Sequence, residues 1–382
     1  MKKVLGMILA LVVMMTLIVT GCGEKTETKE PVENTGTPAD ESEAKDPLKV
    51  VLMINGTLGD LSFFDSSNRG MEMVKKEFGD DVKVKVVEAS HDDTKWEPTL
   101  IDLSSQDWDI IIVGTWNMAE PLERVAKEFP HKKYIIFDTS VNYENGDLGN
   151  VYSMMYKQNE GAFLAGALAA KVTTSNNENV NVAKKIGFLG GMDIPVINDF
   201  LIGYIEGAQY VEPDIEVAIS YVGNFNDSAK GKEVALMQYM SGVDVGFNVA
   251  GAAGLGQLDA AKELTKYAIG VDADQAMQFK ETDPDKSELI ITSVLKRVDN
   301  SILRAITMHI NETLPYGEAE VLGFAENAVG LAENEYYESI LPHELRAEVN
   351  EIKKKISNGE ISVGTAFGME TEELNTIRDS VQ

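Results

Sequence analysis

The chain has 382 residues, 44% of them hydrophobic and 25% charged, which is ordinary globular composition and too apolar for a disordered protein. Its 62 acidic residues against 34 basic ones give a formal net charge of −28, which repels phosphate backbones and anionic lipid and argues against nucleic acid as a partner. A single cysteine and four scattered histidines exclude an intrachain disulfide and argue against a dense metal cluster.

Lys2 and Lys3 precede a nearly unbroken apolar run from Val4 to Val19. These are the basic and hydrophobic regions of a secretory leader, and the run is short for a membrane span. It ends in Val19-Thr20-Gly21-Cys22, and Cys22 is the lone cysteine. Small residues before such a cysteine read as a lipobox. Residues 1–21 are then the leader, and the Cys22 thiol carries the acyl (palmitate) anchor. Residues 22–47 are Glu, Lys, Thr, Pro and Asp with almost nothing apolar. They read as a disordered tether, spanning roughly 25–30 Å as a coil. The body is expected outside the cell membrane, held there by lipid alone.

From Leu48 the pattern alternates strand and helix. Apolar runs stand at Leu48–Ile54, Val82–Val87, Asp109–Val113, Tyr134–Asp138, Lys185–Leu189, Ile215–Val222, Val243–Val249, Tyr267–Val271 and Glu288–Val294. Near-continuous Val, Ile and Leu suit parallel strands covered on both faces. Helical periodicity begins near Ser66, Thr94, Met118, Glu160, Ile197, Ser228, Gly254 and Asn300. Alternating units of this kind predict doubly wound α/β sheets with right-handed crossovers. The chain restarts at Lys184–Gly191, where strand, Gly-rich turn and helix repeat the logic of Leu48–Gly59. Two similar α/β lobes explain this better than one large sheet.

In open α/β sheets, ligands bind outside the carboxyl ends of strands. The residues there are Asn55–Asp65, Gly114–Asn117, Asp138-Thr139, Gly190–Asp193, Gly223–Asp227, Ala250–Gly254, Gly270–Asp274 and Leu295–Arg297. Aromatics are unusual in such loops, which mostly carry small polar residues. Aromatic faces with carboxylates, amides and one lysine suit a flat heterocycle bearing hydroxyls.

Five segments resemble one family. They are Gly59-Asp60-Leu61-Ser62-Phe63, Asn159–Gly166, Gly190–Pro195, Asn224-Phe225-Asn226-Asp227, and Gly270-Val271-Asp272 with Ser293–Arg297. The body from Val50 to about Val363 resembles the basic membrane protein family of substrate-binding lipoproteins, whose best-understood members are purine nucleoside receptors of ABC importers. The resemblance implies a type I periplasmic-binding-protein fold: two doubly wound α/β lobes, a three-strand hinge, and ligand in the cleft. It implies lobe 1 over 48–154 plus 274–312 and lobe 2 over 155–273 plus 313–382.

Carried over by position, the resemblance gives residues their roles. Phe63 or Phe64 and Phe225 sandwich the base, with Asn226 beside them. Asp138 meets the base edge. Asp272 and Lys296 hold ribose hydroxyls. Ala250 and Gly251 bring backbone close to the ligand. Asn55 stands where the family usually has Asp, and Phe64 where it often has Asn, so either phenylalanine is open as the stacking ring. Trp116 is an added aromatic that reshapes the base pocket. An ionised Asp138 matches the N1–H and N2 amino pair of guanine, then the single N1–H of hypoxanthine, so guanosine or inosine is favoured over adenosine.

Gly251–Gly256 follows a strand and opens a helix but reads G-x-x-G-x-G, which fails the dinucleotide spacing. No cofactor is expected. The histidines lie in surface-like stretches without a serine elbow, so no enzyme is expected. The expectation is a monomeric, extracytoplasmic nucleoside-binding protein with an ABC permease and ATPase as partners. The alternatives are another flat ligand such as riboflavin, or a ligand-sensing lipoprotein not coupled to import.

Overall fold

The computed structural model describes residues 46–177 and 179–382. The leader at 1–21, Cys22 and all but the last two residues of the expected tether lie outside them. Among the described residues, twelve strands form two six-stranded sheets. The first five strands are β1 Leu48–Ile54, β2 Val82–Glu88, β3 Ile110–Gly114, β4 Lys133–Phe137 and β5 Val151–Tyr156. The next five are β6 Lys185–Gly190, β7 Glu216–Tyr221, β8 Val245–Val249, β9 Tyr267–Asp272 and β10 Ile290–Lys296. Two short strands follow, β11 Ala319–Leu322 and β12 Val329–Leu331.

The first sheet runs β11-β5-β4-β3-β1-β2 and is wholly parallel. The second runs β12-β10-β9-β8-β6-β7, parallel except where β12 meets β10. Central strands such as β3 are buried along their whole length, as covered parallel strands must be. The edge strand β2 alternates Val with exposed Lys, a pattern that blunts an edge against further pairing. Each sheet carries an apolar cluster on both faces, so each lobe is doubly wound.

The chain passes between the lobes three times. β5 runs into the second-lobe helix Gln158–Thr173, β10 runs into the first-lobe helix Val298–Ile310, and β11 runs on to β12. These crossings are the three-strand hinge of the type I fold. They also redraw the expected lobe limits. β10 lies within 274–312 yet belongs to the second sheet, because β9 offers it a parallel edge in register at Val294 and Val271. Helix Val298–Ile310 joins the first-lobe core, through Val298, Ile302 and Ile306. Conversely β11 lies within 313–382 but pairs with β5 in the first sheet. The boundary expected after residue 154 falls inside β5.

In the second lobe, helix Pro195–Val211 lies directly on helix Gln158–Thr173. A Cβ on Gly207 would stand 1.9 Å from the Phe163 carbonyl oxygen, so the two backbones touch there. This packing fixes the helix whose first turns form one wall of the cleft. Among the described residues no helix is long and apolar enough to cross a membrane.

Candidate ligand-binding cleft

Loops from the carboxyl ends of both sheets enclose a cavity of about 390 Å³, a size ordinary for small-molecule sites. The loop after β1 is locked by two aspartates. The Asp60 carboxylate accepts from the backbone N–H of Ser62 (3.0 Å), Phe64 (2.8 Å) and Asp65 (3.1 Å). It thereby satisfies the free amides that open helix Phe63–Phe78. Asp65 reaches back to accept from Gly59 (2.8 Å) and Leu61 (2.9 Å). Burial pushes the Asp60 carboxyl up, and those backbone N–H groups oppose the shift.

This loop sets Phe63 and Phe64 in the cavity wall with ring centroids 5.4 Å apart. Phe63 also meets Phe137 at 5.4 Å, and the Lys296 Nζ lies 4.9 Å from its ring centre. Phe63 therefore faces the charged end of the cavity. Phe64 leans over Gly56 on the β2 side.

Three strand-end residues take the left-handed backbone region without being glycine: Thr115 (φ 76°), Asp138 (φ 67°) and Asp272 (φ 64°). Such conformations cost of order 1–3 kcal/mol each and cluster at functional sites. Here Asp138 directly follows β4 and Asp272 ends β9, and both carboxylates line the cavity. Lys296, at the end of β10, stands between them. Its Nζ is 2.7 Å from Asp138 Oδ1 and 3.9 Å from Asp272 Oδ1. The Ser62 hydroxyl donates to Asp272 Oδ2 at 2.5 Å from the opposite lobe. Burial pushes the Asp272 carboxyl up to about 6, against the pull of Lys296 and Ser62. Burial also raises Asp138, again with Lys296 opposing.

A second polar group is neutral. Asn55 Nδ2 donates to Thr115 Oγ1 (2.7 Å) and Asn117 Oδ1 (2.9 Å), and the Thr115 hydroxyl also meets Asn117 Oδ1. Trp116, in the same turn, is 49% exposed and lines the cavity.

From the second lobe, Phe225 enters beside Gly191, where a Cβ would fall 2.3 Å from its ring. Its loop is held by Asn224 Oδ1, which accepts from Asn226 (3.0 Å) and Asp227 (2.8 Å). Asn226 and Gly251 line the cavity as well.

The cavity wall thus gathers Asn55, Phe63, Phe64, Trp116, Asp138, Phe225, Asn226, Gly251, Asp272 and Lys296. Ala250 does not reach it. That residue is 0% exposed and packs with Leu189 and Val222. Asp138 was given the base edge by the resemblance. In the structure it stands beside Lys296 and Asp272, the residues the resemblance gave to the ribose.

Sequence reasoning missed several wall residues. His91 and Trp96 follow β2 and line the outer part of the cavity; the rule of strand ends would have found His91. Val196, Ile197 and Phe200 come from one face of helix Pro195–Val211. Their helical spacing reads equally well as core, and Phe200 is only 1% exposed. Among the described residues, no group of His, Cys, Asp and Glu is placed to hold a metal ion.

One end of the cleft therefore offers two carboxylates and an ammonium, able to accept from and donate to neighbouring hydroxyls. Its middle offers aromatic rings from both lobes.

Residues 48–366 match the family model described as ABC transporter substrate-binding protein, PnrA-like. The chain is 33% identical to basic membrane protein A of Borreliella burgdorferi over 319 residues, covering 82% of this chain and 87% of that protein. It is 29% identical to the CD4+ T-cell-stimulating antigen of Listeria innocua over 375 residues, covering 95% and 98%. A solved ABC transporter solute-binding protein from Aeropyrum pernix K1 superposes with a TM-score of 0.76 at 28% identity, covering 88% of this chain and all of that one. A myo-inositol-binding protein from Caulobacter, at 14% identity and a TM-score of 0.57, shares the fold. Spanning nearly the whole described body, the match places this chain in the PnrA-like family of ABC-transporter substrate-binding proteins.

Proposed function

We propose that the cleft binds a purine nucleoside and that the protein delivers it to an ABC permease and its ATPase. The observation that carries this reading is the Asp138–Lys296–Asp272 cluster at one end of a cleft walled by Phe63 and Phe225 from opposite lobes. Vicinal ribose hydroxyls can donate to Asp272 and accept from Lys296, while the second oxygen of Asp138 accepts from the base N1–H. A base stacked on an aromatic ring gains about 1–3 kcal/mol. A phosphorylated ligand is disfavoured, since two carboxylates meet one ammonium there.

Lys296 already occupies one oxygen of Asp138. That weakens the bidentate match to guanine, so guanosine and inosine bind with similar affinity, both ahead of adenosine. Ligand bridging the lobes favours their closed arrangement, and closure marks the loaded state for the permease. Cys22, acylated, holds the mature chain on the outer face of the membrane. The protein acts as a monomer and performs no chemistry on its ligand.

A second reading is riboflavin. It is favoured by Trp116, Trp96 and His91, which extend the wall beyond the rings of Phe63 and Phe225. To separate the two, the protein is purified natively and denatured, and the released small molecules are identified by mass spectrometry. A purine nucleoside supports the first reading and riboflavin the second. A free sugar or a nucleotide rejects both. Loss of nucleoside uptake on deleting the protein separates an import receptor from a sensor.

A further inference from the structure

The family match ends at residue 366, yet the chain continues into a helix, Thr371–Asp379. That helix buries none of its own residues. It is attached by Ile377, partly buried against the second-lobe core, by one guanidinium and by the chain end. Arg378, with 14% of its side chain exposed, donates from Nη2 to Asp193 Oδ1 (2.6 Å), Asn198 Oδ1 (2.9 Å) and the Tyr221 hydroxyl oxygen (2.7 Å). Its guanidinium carbon is 5.5 Å from the Tyr221 ring centre. Beyond it, Val381 is buried and its carbonyl accepts from Val217 N–H at 2.9 Å.

The three acceptors also bond one another. Asn198 Nδ2 donates to Asp193 Oδ1 at 2.8 Å, and the Tyr221 hydroxyl donates to Asn198 Oδ1 at 2.7 Å. Each belongs to a different piece of the second-lobe wall. Asp193 lies between Met192 and Ile194, both of which line the cavity. Asn198 directly follows Val196 and Ile197. Tyr221 ends β7, just before the loop carrying Asn224, Phe225 and Asn226. One planar cation therefore joins the loop after β6, the first turn of the cleft helix and the end of β7. All three contacts come from one nitrogen, Nη2, whose two N–H groups are shared among them, while Nη1 donates to Asn375 Oδ1 at 3.3 Å.

We propose that Arg378 is a positioning residue for the ligand cleft: from outside the cavity, the C-terminal helix sets the second-lobe wall and thereby ligand affinity. This rests on the cleft being the ligand site, though not on which ligand enters it. A bound ligand requires wall residues held near their productive geometry, and such supporting contacts are where a site becomes loose.

The test uses the full mature chain as wild type, Arg378→Ala, Arg378→Lys and Asp193→Ala. Hydrogen exchange of the ligand-free proteins is measured first. Amides over 191–198 and 222–226 exchange faster in Arg378→Ala, while first-lobe amides are unchanged. Inosine and guanosine are then titrated. Arg378→Ala weakens binding by roughly three- to thirtyfold, mainly through faster dissociation. Arg378→Lys, which keeps a cation on a shorter side chain, falls between, and keeps the claim testable if the alanine variant does not fold. Asp193→Ala added to Arg378→Ala costs little more than either alone. Unchanged exchange at 191–198, or lower stability with unchanged affinity, overturns the proposal. Wild type that binds neither nucleoside counts against the nucleoside reading alone, because the exchange result stands without ligand.

Discussion

Lys296 and Asp138 form a 2.7 Å ion pair in which each side chain is less than one-tenth exposed, although one ends β10 of the second sheet and the other directly follows β4 of the first. The pair therefore joins the two lobes. Breaking a buried pair from one side leaves a charge uncompensated, at a cost of about 3–5 kcal/mol. Lys296→Met strands Asp138 and Asp272 together and is expected to lower unfolding stability by that order. Adding Asp138→Asn removes one stranded charge and restores part of the loss. Denaturant unfolding of the two variants checks this; equal stability of the single and double variants contradicts it.

Phe225 is a partly buried ring packed on the second-lobe core and a wall of the cleft. Its removal leaves the fold largely intact and strips one stacking face. Phe225→Ala is expected to weaken nucleoside binding by about 5- to 150-fold, corresponding to about 1–3 kcal/mol. Stability falls by no more than about 1 kcal/mol. Calorimetric titration beside thermal unfolding separates the two effects.

Asp272 ties ligand affinity to pH. Burial holds its carboxyl at about 6, and on the proposed nucleoside reading the ionised form is the one that accepts from two ligand hydroxyls. Affinity is expected to be flat above pH 7 and to fall below pH 6, by up to about tenfold per pH unit. Asp272→Asn is weaker at neutral pH and loses this slope. A wild-type profile that is level from pH 7.5 to 5 contradicts the role given to Asp272.

A second buried carboxylate acts on stability. Asp199 Oδ1 accepts from Thr365 Oγ1 (2.6 Å) and Ala366 N–H (3.0 Å), pinning the chain after the last long helix to the cleft helix. Burial pushes its carboxyl up to about 6, with these bonds and those from Asn159 and Gln158 opposing. The folded value lies above the unfolded one, so the native state binds more protons between about 4 and 6. Its contribution is fully present below pH 4 and is lost as pH rises through 6, an effect of order 2–3 kcal/mol. The stability difference between Asp199→Asn and wild type is therefore expected to grow in favour of the variant from pH 4.5 to pH 7. Denaturant midpoints at the two pH values check it.

Strands with continuous Val and Ile were legible in the sequence. The bounds read for β1, Leu48–Ile54, match the structure, because an apolar run ends sharply at Asn55-Gly56. β5 was not read: Tyr, Ser and Met dilute its pattern, and it runs into a helix within two residues. β11 and β12 are four and three residues long, too short for any period, and pairing with β5 and β10 makes them strands. Strand-end reasoning located most of the cleft wall, since topology fixes where parallel strands stop. It did not bring Asp138 to Lys296, 158 positions away in sequence. Nor did it find Phe200, whose helix spacing is that of core, or Arg378, whose acceptors lie on three separate elements.

Titration of the mature chain, unfolded and refolded to strip carried-over ligand, tests the central claim most directly. Inosine, guanosine, adenosine, cytidine and riboflavin are offered to wild type and to Asp272→Asn by calorimetry. The expected result is one-to-one binding of inosine and guanosine ahead of adenosine and cytidine, with sharply reduced affinity in Asp272→Asn. Binding of riboflavin alone, or no binding of any purine nucleoside, contradicts it.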